Sequence, residues 1–265
     1  YIHTIIINYI IILMYHNIIN WIFIFIQIKR FIISTFITRA DLIIVPSYFY
    51  KKFLLQQFNC DSNKVIVSPS GGVDLDMFYP ININKSDAGK IKILFASRLI
   101  KAKGLSTLVG AFGRMNTQQR SMFELTIVGD GPNKQWMQDS LKKLFTDDVV
   151  FTGMLAHEEL AKKYNQADYF LFPSEMESLG LVGLEAMACS LPVLGPLNSG
   201  ISDYLQDGVN GYKFAVNDEN SLYELLCSLP LKKLNYKSLA LNALNTAKNY
   251  DSKKVSLSLV KEIFG

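Results

Sequence analysis

The sequence predicts an α/β protein: a parallel sheet with helices on both faces, preceded by a smaller piece of similar make. Two observations predict it. From residue 91 to residue 194, apolar runs of strand length alternate with segments of helical period, the pattern that carries parallel strands through crossover helices. Ahead of that run the chain turns polar over 81–90, rich in Asn, Lys, Ser and Asp, which reads as a linker between two bodies. With 265 residues and 49% hydrophobic content, one or two sizeable cores can be buried.

The elements follow in order. Helical period over 21–39 leads into a short buried strand within 40–47, stopped by Pro46 and Ser47. A helix over 48–58, a strand over 64–67 and a Gly-rich turn over 68–74 complete the first part. In the second part strands are predicted over 91–96, 123–128, 149–151, 169–172 and 192–194. Helices are predicted between them over 105–115, 134–144, 157–165 and 181–189, with a last helix over 246–265. No internal repeat is present.

Residues 1–28 carry no charge and are rich in Ile. A membrane span needs about twenty apolar residues, and His3, Asn8, His16, Asn17 and Asn20 interrupt this run. A signal peptide fits less well, because there is no initiator Met, no basic start and no small-residue cleavage site. The favoured reading is a buried or membrane-surface helical region of a chain that begins inside a longer protein.

Composition narrows the function. A formal net charge of +4 is too mild for a nucleic-acid binder and suits visits to anionic membrane surfaces. The three cysteines, Cys60, Cys189 and Cys227, are odd in number and far apart, so they read as reduced thiols. No CxxC or HExxH spacing suggests a metal. His16 and His157 have no partner visible in the sequence and read as core or helix-start residues.

The chemistry centres on Glu177 and Glu185. The first follows the apolar run 169–173, and the second lies in the helix-forming segment after it, so both can converge at a strand-to-helix junction. Carboxylates accept hydrogen bonds from sugar hydroxyls, and the backbone N–H groups of Ser178, Gly180 and Leu181 at the helix start suit a phosphate. Together they fit a nucleotide sugar, although two glutamates eight apart are also commonplace on a surface helix. Arg98 and Lys103 sit on a loop at the end of the strand over 91–96, where doubly wound sheets bind ligands. Two fixed cations there suit a diphosphate, and a solvated basic loop is the plainer alternative. Val128-Gly129-Asp130-Gly131-Pro132 lacks the third glycine of a dinucleotide fingerprint, so a nicotinamide cofactor is not expected; a plain tight turn explains it equally well.

The segment from Pro173 through Glu177, Gly180, Leu181 and Glu185 to Val193 resembles the signature of the retaining family 4 glycosyltransferases, P-S-x-x-E-[SG]-F-G-L-x-x-L-E-A-M-A-x-G-x-P-V. It departs at Leu179, where the family has Phe, and at Ser190, where it has Gly. Residues 97–104 are similar to the family's G-R-L-x-x-x-K-G, with Ser97 for the first Gly, and 128–132 to its V-G-x-G-P turn. Phe151-Thr152-Gly153-Met154-Leu155 resembles the segment whose backbone frames the base. Residues 41–47 and 68–80 resemble the A-D-x-[IV]-[IV]-x-x-S and P-x-G-V-D-x-x-x-F-x-P segments of the N-terminal domain.

The resemblance implies a GT-B fold. Residues 1–80 are then the tail of an acceptor-side Rossmann-like domain, 81–90 a linker, and 91–245 a nearly complete nucleotide-sugar-binding domain. The helix over 246–265 packs back toward the N-terminal domain, and about 100–150 residues of the family are missing. Arg98 and Lys103 are expected to hold the diphosphate, Glu177 the sugar hydroxyls and Glu185 the ribose. Ser178, Leu179, Gly180, Leu181, Gly129, Gly131, Gly153 and Met154 are expected to complete donor binding. The fold family implies no metal and no cofactor, so Asp74-Leu75-Asp76 is a turn and not a DxD metal motif. The implied partners are a nucleotide-sugar donor and a saccharide or lipid-linked acceptor, at the cytoplasmic face of a membrane, in surface polysaccharide synthesis. This stretch of chain alone is expected to be inactive. The rivals are a nucleotide-sugar-binding module without transferase activity and a phosphorylase, for which the pyridoxal-binding lysine motif is missing.

Overall fold

The computed structural model describes residues 32–81, 89–145 and 147–264. The apolar stretch 1–28, the first part of the helix predicted over 21–39 and most of the linker lie outside the described residues. Among the described residues no helix is long and apolar enough to cross a membrane. The chain divides into two compact units, 1–44 with 51–66, and 45–50 with 67–265.

The first elements are α1 (residues 32–39), β1 (Ile43–Val45), α2 (Tyr48–Gln57) and β2 (Val65–Val67), with β1 and β2 paired in a two-stranded sheet. In the smaller unit two lysines tie backbone ends together. Lys64 Nζ donates to the Ala40 carbonyl at 3.1 Å and Lys51 Nζ to that of Val65 at 2.6 Å.

The larger unit is built on six parallel strands: β3 (Ile91–Ala96), β4 (Phe123–Val128), β5 (Val149–Gly153), β6 (Tyr169–Leu171), β7 (Val193–Pro196) and β8 (Gly211–Phe214), in the order β5-β4-β3-β6-β7-β8. The helices α3 (Leu105–Arg114), α4 (Thr117–Arg120), α5 (Lys134–Lys142), α6 (His157–Gln166), α7 (Leu181–Ala188), α8 (Glu219–Ser228), α9 (Tyr236–Lys248) and α10 (Ser252–Phe264) connect or follow them.

Strand β3 shows how the sequence makes two layers. Side chains alternate across a strand, so Ile91, Ile93 and Phe95 enter one core, with Leu108 and Phe112 of α3, Met137 of α5 and Leu222 of α8. Leu94 and Ala96 enter the other, with Tyr164 of α6, Leu184 of α7 and Ala243 of α9. A strand apolar on both faces belongs at the centre of a doubly covered sheet. The chain fills one side of β3 through β4 and β5, then returns through β6 to fill the other, so the strand order reverses between β3 and β6. The α/β doubly wound architecture is therefore the one the alternation predicts.

The predicted strands and helices of 91–194 all form, with boundaries shifted by a residue or two. Beyond that run the chain adds β8, α8 and α9, and the last helix, expected over 246–265, is α10 at Ser252–Phe264, residues 246–248 belonging to α9. Strand β8 is a four-residue edge beyond the alternation read over 91–194. Helix α8 carried a readable signal, since Asp218 is its N-cap, accepting from the Asn220 and Ser221 N–H groups at 2.9 Å each. After α9 the chain pairs with the turn before the linker: Val73 N–H donates to the Tyr250 carbonyl at 2.7 Å, and Ser252 N–H to that of Val73 at 2.9 Å, at the start of α10.

Candidate functional site

Where the strand order reverses, the carboxyl ends of β3 and β6 part and their loops leave a cleft of about 340 Å³. It is bounded by Ser70, Ser97, Arg98 and Lys103 on one side and by Glu177, Ser178, Leu179, Gly180 and Leu181 on the other. A second cleft of about 390 Å³ shares Ser97 and Arg98 with it and continues along Gly129, Asp130, Met154 and Leu155. Most of the residues singled out from the sequence thus line one continuous surface. Leu179 differs from the others, because its side chain is core, 2% exposed, which leaves its backbone to the cleft. Gly131, Gly153 and Glu185 are not among the residues that line the two clefts.

The loop after β6 is held in place at several points. Glu175 N–H donates to the Ala102 carbonyl (3.1 Å), Gly200 N–H to that of Glu177 (2.9 Å), Ser47 Oγ to that of Ser178 (2.5 Å) and Tyr204 OH to that of Gly180 (2.8 Å). Gly180 is required by conformation and by space. Its φ is +80°, and a Cβ there would stand 2.7 Å from Phe172 Cε1 and 2.8 Å from Ile201 Cγ2. It ends the loop and begins α7, which no side chain caps, so the first turn of that helix lacks a side-chain acceptor where Gly180 and Leu181 line the cleft. Gly129 serves close approach: its N–H donates to the Gly153 carbonyl at 2.8 Å, and a Cβ would meet the Ser97 carbonyl oxygen at 1.9 Å. The turns after β3, β4 and β5 therefore pack as one wall.

Lys103 does not stand free beside Arg98. Its Nζ lies 2.7 Å from Glu177 Oε2, so the cation expected to hold phosphate and the carboxylate expected to hold sugar form an ion pair. Arg98 is exposed in the cleft. Asp130 is bonded by Lys134 Nζ and by the Gly131 N–H, both at 2.7 Å, and these hold its carboxyl below the usual range.

Glu185 has a different environment. Burial pushes its carboxyl above the usual range, partly offset by a hydrogen bond from Tyr164 OH at 3.1 Å and by the nearby His157 imidazole. Sequence reading passed over Tyr164, whose position on the apolar face of α6 marks only a core aromatic, and over Ser70. The signal for Ser70 was the Ser-Gly-Gly turn, in which Ser70, Gly71 and Gly72 have φ of 47°, 84° and 75° in succession. His157, read as a core or helix-start residue, opens α6 and packs its ring against Phe78. Asp74 Oδ1 accepts from the Asp76 and Met77 N–H groups within the turn, while Asp76 pairs with Lys253 of α10 at 2.8 Å.

The sequence profile described as glycosyl transferases group 1 matches residues 81–245. A GDP-mannose-dependent alpha-mannosyltransferase of Corynebacterium glutamicum is 37% identical over 154 residues, 56% of this chain and 35% of that protein. The putative colanic acid biosynthesis glycosyltransferase WcaL of Escherichia coli is 30% identical over 181 residues, 66% of this chain and 44% of that one. Among solved structures, that of HepE from Anabaena in complex with UDP and glucose aligns with a TM-score of 0.75, 21% identity, and coverage of 89% of this chain and 67% of that one. The chain thus spans less than half the length of these two curated relatives.

Proposed function

The chain belongs to the group 1 glycosyl transferases, and we propose that it is the donor-binding part of a retaining enzyme that moves a sugar from a nucleoside diphosphate to an acceptor hydroxyl. The observation that carries this reading is the convergence of Arg98, the Lys103–Glu177 pair and the uncapped start of α7 on one cleft at the switch point of the sheet. A diphosphate placed there meets helix amides and a guanidinium that pairs bidentately with its oxygens. Lys103 then exchanges Glu177 for phosphate, and Glu177 is released to accept from sugar hydroxyls. As the anomeric C–O bond breaks, negative charge grows on the departing phosphate, where the two cations and the helix start stabilise it. The acceptor oxygen bonds to the same face of the anomeric carbon and its proton passes to the leaving phosphate. These fixed charges make the scheme independent of a metal or cofactor.

Glu185, eight residues on, takes the ribose hydroxyls. The WcaL name supports a role in surface polysaccharide synthesis, with a saccharide or lipid-linked acceptor at the inner face of a membrane. The test separates the two glutamates. Glu185→Ala weakens free nucleoside diphosphate and intact donor alike, by about tenfold, whereas Glu177→Ala leaves the free nucleotide nearly untouched and lowers turnover by about tenfold or more. Equal effects on free nucleotide in calorimetry would return the pair to ordinary surface carboxylates. Donor binding without turnover in the protein that carries this chain would leave a binding module.

A further inference from the structure

The phenol of Tyr164 is fully buried, yet its OH lies 3.1 Å from Glu185 Oε2 and 3.3 Å from the Val182 carbonyl. A hydroxyl has one proton to give, and the carboxylate is the closer and the charged acceptor. The ring that carries it cannot swing, because it packs edge-on against Phe170 at 5.5 Å and Phe78 at 5.9 Å. Resting on the donor reading above, we propose that Tyr164 is a positioning residue: it holds one oxygen of Glu185 from behind so that the other is presented, ionised, to the ribose hydroxyls.

The physical need is specific. A carboxylate withdrawn from water on a helix flank loses solvation, and its protonated form has one oxygen fewer with which to accept hydroxyl donors. Burial pushes Glu185 toward that form, and the Tyr164 hydroxyl pulls it back. The charged or titratable groups around the pair are few: Tyr164 and His157 from α6, Tyr204 from the turn after β7, and Cys189 at the end of α7. His157 favours the ionised carboxylate when it is itself protonated. Tyr204 is occupied by the Gly180 carbonyl. Tyr164 is hydrogen-bonded to the carboxylate itself, which makes it a residue that sets both aim and charge.

Tyr164→Phe keeps the ring packing and deletes only the hydroxyl. Uridine and guanosine diphosphates, each against its 2′-deoxy counterpart, are titrated calorimetrically into the chain from about pH 5 to pH 8. The wild-type chain is expected to prefer the ribonucleotide by about tenfold, and the preference falls to about two- to threefold in Y164F. The acid side of the ribonucleotide affinity profile moves toward neutral pH in Y164F, because Glu185 gains its proton more easily without the donor. General loosening would weaken ribo- and deoxynucleotides alike and would move neither readout. If Y164F fails to fold, 3-fluorotyrosine at 164 carries the test: it keeps the hydroxyl, strengthens it as a donor and moves the same limb the opposite way. A folded Y164F that keeps both the full ribose preference and the wild-type limb overturns this inference alone, as does a fluorotyrosine chain whose limb stays in place. Absence of any ribose preference in the wild-type chain overturns the assignment of Glu185 to the donor, and this inference with it.

Discussion

The loop that carries Glu177 and the helix that carries Glu185 place the same side chain in opposite settings. Glu177 stands in the cleft beside a cation, with 17% of its side chain and 25% of that of Lys103 exposed. The pair is mostly withdrawn from water, so Lys103 can leave Glu177 only for another anion, and a phosphate supplies one. Glu185 stands one turn along α7 from Leu181 of the cleft, bonded by a neutral hydroxyl, and burial raises its pKa. The first setting suits a charge that changes partners during a reaction; the second suits a fixed acceptor of neutral hydroxyls. Two carboxylates eight residues apart thus stand in different electrostatic settings without any difference in chemistry between them.

The largest expected effect breaks the first setting. Lys103→Ala removes the cation and leaves Glu177 unpaired beside the incoming phosphates, so affinity for a nucleoside diphosphate drops about ten- to a hundredfold in calorimetry. Adding Glu177→Ala to that variant recovers part of the loss, because the stranded negative charge goes with it. A change below about twofold in Lys103→Ala would mean that the ion pair is architecture and not part of the binding surface.

Gly180→Ala attacks the junction between the two settings. The left-handed backbone and the contacts with Phe172 and Ile201 give a stability loss of about 2 kcal/mol, read from the urea midpoint. A loss under about 0.5 kcal/mol would show that the loop yields where it is described as clamped.

The smallest effect sharpens the second setting. Because the folded-state pKa of Glu185 lies above its ordinary value near 4.5, the native chain holds its proton more tightly than the unfolded chain. Stability therefore declines as pH rises through that window, and the ionised carboxylate costs stability at neutral pH. Glu185→Gln is expected to melt slightly higher than wild type at neutral pH. The gain shrinks as pH falls through the raised pKa and is gone below the ordinary carboxylate value. An equal or lower melting temperature at neutral pH would place Glu185 in a better-solvated environment than its burial implies.

Much of this was legible in the sequence because it is local. Periodicity marked every strand from 91 to 194 and every helix there but the four-residue α4, Gly129 marked a tight turn and Gly180 a helix start, and the motif around Glu177 and Glu185 marked the family. The sequence by itself determined which residue types stand at the ends of β3, β4 and β6, since strand ends are set by where apolar runs stop. What only tertiary structure decided is which of those ends meet. The reversal of strand order between β3 and β6 brings Arg98 and Lys103 to Glu177, across more than seventy positions of chain. The pairing of Lys103 with Glu177, the phenol of Tyr164 behind Glu185 and the hold of Ser47 and Tyr204 on the loop are of the same kind. Each joins groups distant in sequence, and a single chain carries no period or spacing that records such a contact, because it is fixed by the packing of helices onto a sheet and by the need of buried polar groups for partners.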